Sequence, residues 1–465
     1  MEVVIFFVNL YQSINRCDRL KIIGLALLLQ LLSLPVMAND WYKDYGLSER
    51  VVFSEKFNSA VTFYQTKKHA NKPSITLIHG VGGSAEDFKE MVLGLSQNYD
   101  LLLLDLPGFG LSQSHEDIFS PQKYATLLID LLPSLVNSRN YIVGHSMGGN
   151  VSVQIALQAP NLVKKLILID AAGFLNKFSY SEHVAANYLE NQLPIAKKYS
   201  SIVKSAVSTL NQLLPDPTDI LLSSTGRTLI LDDNINAISA LSVMNEALST
   251  LIWRESPPTF IIWGGKDQVM PVQVSSMLSY LLNTHEFFIF PEAGHSPQKE
   301  YPNDIIKKIE NFIDYSQAIY PAQIEISNEE AIIDCAKNDA LYRLNNKQFS
   351  TVIINNCEQK TVSHLHAKKI TLNNSTINFV HLNVNHDEGY AMVLHNSHVE
   401  IWGGRLNAVT IAYLNNSQLE FNGVELYANN AVVMSNLPTT ISASLTKINL
   451  QGTVQHWHGV IDIGL

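Results

Sequence analysis

The stretch YIVGHSMGGNV, residues 141–151, decides how the rest of the chain is read. An apolar run leads into Gly144, His145, Ser146, Met147 and Gly148, and GNVSVQIALQA follows with the composition of a helix. A serine with glycine at both second neighbours can occupy a sharp strand-to-helix turn whose backbone angles bulkier neighbours would block. Its hydroxyl then stands above the edge of a sheet, whereas a serine in an ordinary strand-to-helix turn serves as a cap. The reading requires a buried strand before the serine and partners supplied by the ends of later strands.

Those strands are present. SITLIHG, LLLLD, YIVGH, KLILID, TFIIWG and FFIF recur between about residues 50 and 315, each followed by a stretch of helical periodicity. Runs that are apolar throughout, without alternation, suit strands covered on both faces of a parallel sheet, so the expected class is α/β. The rhythm breaks once, between Asp170 and Thr259, where the gap is far longer than the roughly 2–6 residues of a typical connection. PIAKKYSSIVKSAVSTLNQLL and NAISALSVMNEALSTLIW within it have amphipathic spacing, and they predict a helical cap at about 172–256 over one edge of the sheet.

After residue 320 the texture changes to short β-rich segments laced with asparagine. LNNS at 372–375, LHNS at 394–397, LNNS at 414–417 and MSNL at 434–437 repeat at intervals of 22, 20 and 20 residues, and IIDC and INNC extend the register backwards. Such periods are the mark of stacked rungs. Asp334, Asn356, Asn374, Asn396, Asn416 and Asn436 occupy the equivalent position, where side-chain amides would stack and bond the neighbouring rung's backbone. The series resembles the asparagine ladder of a right-handed parallel β-helix, and a looser β-sandwich is the alternative. In a β-helix, Cys335 and Cys357 fall on equivalent positions of neighbouring rungs, within disulfide range; the other reading is two buried thiols. Exposed rung ends predict that the remainder of the chain packs over one of them.

The bulk numbers limit the functions. The 465 residues are 46% hydrophobic and 16% charged, ample for large cores. A net charge of −10 without a basic run argues against nucleic acid as a partner. Near the start, Arg16, Arg19 and Lys21 precede IIGLALLLQLLSL and then PVMA, the pattern of a secretory signal cleaved after Ala38. The apolar run falls short of the roughly 20 residues that span a bilayer. The expected organisation is a signal peptide at 1–38, an α/β domain at 39–318 and a repeat domain at 319–465, in a protein exported to the periplasm or beyond.

Residues from about 50 to 315 resemble the α/β-hydrolase family. LIHGVGG at 77–83, DLPGFGLS at 105–112, GHSMGG at 144–149, and WGGKDQVMP with GHSPQKE carry the resemblance. It implies a nucleophile at Ser146, an acid at Asp267 and a base at His295, in the family's chain order, with backbone N–H groups of Val81 and Met147 forming an oxyanion hole. Asp170, which ends a core strand, competes with Asp267 for the acid's place. Asp105, Gly108 and Gly110 read as shaping a turn, and His145 as structural. A serine nucleophile implies acyl transfer, and the motifs together look like bacterial lipases and carboxylesterases acting on a small-molecule or lipid ester, with no cofactor. A carbon–carbon hydrolase of the same fold and an idle binding module are the alternatives. Histidines at 364, 366, 456 and 458 alternate as metal ligands can, but no carboxylate or thiolate set completes a metal site. A surface, a glycan or a protein is the expected partner of the repeats.

Overall fold

The structure is a computed structural model that describes residues 40–465 except 70, 114–119, 138–139, 178, 181–182, 184–222, 224–226, 229–230, 232–233, 246–255, 316–323, 328, 438 and 464–465. The expected signal peptide and most of the expected cap therefore lie outside the described residues.

Eight strands form the first sheet: β1 (Ser48–Ser54), β2 (Ser59–Gln65), β3 (Ser74–Ile78), β4 (Asp100–Asp105), β5 (Asn140–His145), β6 (Lys165–Ile169), β7 (Thr259–Gly264) and β8 (Thr284–Phe290), in the order β1-β2-β4-β3-β5-β6-β7-β8. Strands β3 to β8 pair in parallel. The hairpin β1–β2 adds an antiparallel edge against β4, which the apolar-run pattern did not reveal because SERVVFS and SAVTFYQ mix polar with apolar residues. Consecutive residues of the central strands feed opposite cores. Ile142, Leu166 and Leu168 pack under α2 (Pro121–Leu131), α3 (Met147–Gln158) and α5 (Gln273–Leu281), while Val143, Ile167 and Ile169 pack under α1 (Lys89–Leu95) and α6 (Pro302–Tyr315). Helix α4 (Ile235–Asn245) is the described helix of the insertion, and its Ile235 sits over the turn at Gly108.

The second sheet belongs to an all-β unit of long, mostly parallel strands: β9 (Glu325–Ile326), β10 (Glu330–Asp334), β11 (Lys347–Asn355), β12 (Lys360–Ser363), β13 (His366–Asn373), β14 (Thr376–His395), β15 (His398–Asn415), β16 (Gln418–Ser435), β17 (Thr439–Leu450) and β18 (Thr453–Ile463). Each residue pairs with its counterpart one repeat later, as in Thr376 with His398 and His398 with Gln418. Alternate side chains turn inward, so like stacks on like: Ile354, Leu372, Leu394 and Leu414 form one buried column, and Val384, Leu406, Leu426 and Ile448 another. Strand β18 runs antiparallel to β17 and covers the last repeat.

The amide ladder differs from expectation in its partner. Asn356, Asn374, Asn396 and Asn416 each donate to the side-chain oxygen of the preceding member, at 3.0, 3.5, 3.3 and 2.9 Å, while the backbone N–H groups of Asn356, Asn374 and Asn396 reach the next repeat's carbonyls. All four have φ between 48° and 54°, a left-handed conformation that asparagine tolerates better than most residues. Asn436 leaves the series and bonds Asn415 instead. A serine column runs beside it: the hydroxyls of Ser375, Ser397 and Ser417 accept the N–H groups of Cys357, Ser375 and Ser397. Cys335 and Cys357 are joined as a disulfide across 22 residues. Closing a loop of that length is worth about 3 kcal/mol.

The two units meet along a side of the repeat unit and not over its end. Trp402 and Leu445 enter the apolar core beside Met277, Leu278 and Leu281 of α5. His381 donates from Nε2 to the Ser276 carbonyl at 2.9 Å and accepts at Nδ1 from His364. The last repeat is covered by β18 and not by the first unit.

Burial lowers His381 to about 4, and His458, whose Nδ1 accepts the Leu445 N–H, to about 4 as well. Both are thus neutral in the fold, while the unfolded chain takes up their protons near the ordinary value of 6.5. Stability falls as pH drops from about 6.5 to about 4 and levels off below, each histidine contributing on the order of 3 kcal/mol. Thermal unfolding followed between pH 7.5 and 4 will show this loss, and His381→Gln will flatten it; a midpoint independent of pH across that range would contradict the assignment.

Candidate active site

Ser146 lies between β5 and α3 with φ 53° and ψ −122°, a backbone that a side-chain-bearing residue adopts only under constraint. Its neighbours explain how the chain gets so close. A Cβ at Gly144 would lie 2.4 Å from the Gly148 carbonyl oxygen, and one at Gly148 would lie 2.1 Å from that of Ile78. The Ser146 N–H donates to the Ile169 carbonyl on β6, and the Ser146 carbonyl accepts from Gly149 and Ala172. Gly80 faces the serine so tightly that a Cβ there would be 2.7 Å from the serine's own. Val81 follows it directly. Met147 opens α3, so its N–H is among the first four of the helix, which have no intrahelical acceptor.

Two later loops complete the arrangement. His295, five residues beyond β8, places Nε2 at 3.0 Å from Ser146 Oγ. Its Nδ1 donates to Asp267 Oδ2 at 2.7 Å, from the loop after β7. The carboxylate can only accept there, so the proton sits on Nδ1 and Nε2 is left to accept from the serine. Asp267 is itself fixed by the N–H groups of Val269 and Met270 on Oδ1, at 2.8 and 3.0 Å. Ser146, His295 and Asp267 therefore form one hydrogen-bonded relay.

Asp170 is close by and differently engaged. Its Oδ1 accepts the Gly264 N–H at 2.8 Å, while Oδ2 is buried without a hydrogen-bond partner. Burial, reinforced by the charge of Asp267, raises its pKa well above the ordinary carboxylate value, which favours the neutral form. His145 donates from Nε2 to the His295 carbonyl at 2.7 Å, and burial lowers it to about 3. It is a neutral strut under the loop that carries His295. His145, Asp170 and His295 come within 4.8 Å of one another and form the one cluster of metal-ligating type among the described residues. Both nitrogens of His295 are already taken by Asp267 and Ser146, which leaves no ligand set for an ion. In the repeat unit His364 meets His381 and His366 meets Asn383.

Several residues support the relay from outside it. His79 donates to the Gly80 carbonyl and accepts the Leu106 N–H, which ties the segment facing Ser146 to the loop after β4. Asp105 accepts from Ala85, Leu111 and Tyr64, so it builds the turn at Gly110 and does not face the relay. Tyr180, in the insertion, lies near enough to Asp267 that burial and that charge push its hydroxyl up to about 12.

A family profile described as alpha/beta hydrolase fold matches residues 73–302. An uncharacterized protein of Mycobacterium tuberculosis is 32% identical over 289 residues, which cover 56% of this chain and 83% of the relative. Monoacylglycerol lipase abhd6-B of Xenopus laevis is 26% identical over 290 residues, covering 60% and 86%. Lipase 3 of a Moraxella species is 25% identical over 261 residues, covering 54% and 80%.

The two aspartates are separable by experiment. Asp267→Asn is expected to lower turnover by about 10⁴, because an amide in place of the carboxylate favours the wrong imidazole tautomer. Asp170→Asn replaces an already neutral carboxyl with a group of the same shape and keeps turnover within about threefold. Steady-state rates of the two purified variants with one activated ester decide it, and the reverse ranking would exchange the roles.

Proposed function

The chain belongs to the α/β hydrolase fold family, and from that premise we propose that it is an exported serine hydrolase that cleaves carboxylic esters through an acyl-enzyme. One observation carries the reading: His295 bridges Ser146 Oγ at 3.0 Å and Asp267 Oδ2 at 2.7 Å. In this mechanism Ser146 Oγ attacks the ester carbonyl while its proton passes to His295 Nε2. Asp267 stabilises the imidazolium that results. The N–H groups of Met147 and Val81 receive the developing oxyanion, a contribution of roughly 3 kcal/mol per donor. Collapse of the tetrahedral intermediate expels the alcohol with the proton held by His295, and water then repeats the sequence on the acyl-enzyme.

Ester substrates are supported by the two relatives whose names describe lipases. An apolar acyl group suits the environment of α4, where Ala237, Ile238 and Leu241 are buried and Ile235 closes over Gly108. Export is supported by the basic and apolar pattern of residues 16–38 and by the Cys335–Cys357 disulfide, since such bonds persist in oxidising compartments. We read the repeat unit as a parallel β-helix, on the strength of its repeat-to-repeat register and its amide ladder.

Hydrolysis of p-nitrophenyl esters from acetate to palmitate tests the reading. The wild type is expected to turn over part of this series, and Ser146→Ala to lose about 10⁶ in kcat. Undiminished turnover in the variant would remove Ser146 from the mechanism. The chain length preferred separates esterase from lipase.

A further inference from the structure

Between β6 and the insertion, residues 170–176 run directly behind the nucleophile. Ala172 donates its N–H to the Ser146 carbonyl at 3.0 Å, and Ala171 packs where a Cβ on Gly149 would lie 2.5 Å from its methyl. Gly173 accepts from the Asn150 amide on α3. Tyr180, beyond its far end, is near enough to Asp267 to feel its charge. The segment therefore touches the backbone of the serine.

What fixes this segment comes from the other end of the chain. Asn176 is buried, and its Nδ2 lies 2.9 Å from Ser442 Oγ, 3.0 Å from the Ala443 carbonyl, 3.0 Å from Ser444 Oγ and 2.9 Å from Ser179 Oγ. Its backbone N–H donates to Ser444 Oγ at 3.0 Å, and its Oδ1 accepts from Ser179 N–H at 3.1 Å. Ser179 and Ser442 share a hydroxyl hydrogen bond of 2.9 Å. Ser442 and Ser444 alternate along β17 and so present one face to the segment. Adhesion between the units is already supplied by Trp402 and Leu445, which join the apolar core of the first unit. A buried, multiply satisfied amide adds something adhesion does not: it fixes register, because its short bonds break on a shift of about 1 Å.

We infer that the C-terminal repeat unit completes the hydrolytic site: through Asn176, the serines of β17 hold residues 171–176 against the Ser146 backbone, which makes Asn176 and Ser444 positioning residues for acylation. The inference rests on Ser146 being the nucleophile. It acts on geometry at the serine, so it bears on the rate of the chemical step more than on substrate affinity.

Full-length wild type, Asn176→Ala, Ser444→Ala and the double variant are treated with a fluorophosphonate, which phosphonylates the hydroxyl of an activated serine with loss of fluoride. The readouts are the titratable fraction, the rate constant per site, and kcat and KM for p-nitrophenyl butyrate. Each single variant is expected to keep the wild-type titratable fraction and KM while its labelling rate and kcat fall about tenfold to a hundredfold. The double variant is expected to be no slower than the slower single variant, because both residues serve one contact. Asn407→Ala, which removes an exposed amide elsewhere in the repeat unit, keeps the wild-type rate. Wild-type labelling rates in the variants, or a loss confined to the titratable fraction, would overturn the inference. Should Asn176→Ala fail to fold, Ser444→Ala removes a single oxygen and carries the test. A wild type that is not labelled at Ser146 would instead overturn the nucleophile assignment, and the inference with it.

Discussion

The left-handed backbone of Ser146 depends on two strands and a helix approaching more closely than side chains would allow. At Gly144 and Gly148 a single methyl would collide with backbone at 2.4 and 2.1 Å, and at Gly80 it would collide with Ser146 itself. A conformation of this kind costs about 1–3 kcal/mol and survives only where the surroundings over-determine it. Ile169, Gly149 and Ala172 do so through three hydrogen bonds to the two backbone groups of the serine. The hydroxyl is consequently held in one place before any substrate arrives, which is the condition for a relay through a histidine supplied by a loop 149 residues away.

Around that hydroxyl the fold gathers two carboxyl groups and two imidazoles and makes them unequal. Asp267 has every bond directed to a donor: two backbone N–H groups on one oxygen and His295 on the other. Asp170 has one oxygen on Gly264 and the other unpartnered and buried, so the charge is expelled from it. His295 bridges acid and serine, while His145 is kept neutral beneath its loop. A second negative charge beside Asp267 would pull the imidazolium away from its working geometry. Burial removes that charge without removing the hydrogen bond that ties β6 to β7.

Much of this was legible in the sequence because it is written in local pattern. Apolar runs gave the parallel strands, glycine spacing gave the turn at Ser146, and a period of about 20 residues gave the stacking of the second unit. The motif order put the acid at Asp267 with Asp170 as its competitor, since both follow core strands; what separates them in space is that His295 Nδ1 meets Asp267 Oδ2 while Asp170 takes the Gly264 N–H. Asn176 carried no signal. It sits outside the two amphipathic stretches of the insertion, and its partners at Ser442 and Ser444 are more than 260 residues away, at positions whose serines look like any polar residue of a β-strand. The serine column at 375, 397 and 417 was in plain view inside the LNNS and LHNS repeats, but the adjacent asparagines masked it.

The corner of the repeat unit that meets α5 shows that the two units are shaped for each other. Equivalent positions on successive repeats are His364, His381, Gly403, Gly423 and Leu445, all left-handed. A left-handed corner alone does not demand glycine, because histidine and leucine occupy it at either end of the series. Glycine stands only where the helix presses closest: a Cβ at Gly403 would lie 2.9 Å from Tyr280 Cβ, and one at Gly423 would lie 2.4 Å from Met277 Cγ. On one side of this notch His381 bonds the Ser276 carbonyl, and on the other Leu445 joins the apolar core of the first unit. A free-standing stack of repeats would have no reason to lose side chains at two consecutive corners. The missing side chains are explained by a helix of the first unit lying in the groove they leave, so the fit of the two units is written into the repeats themselves.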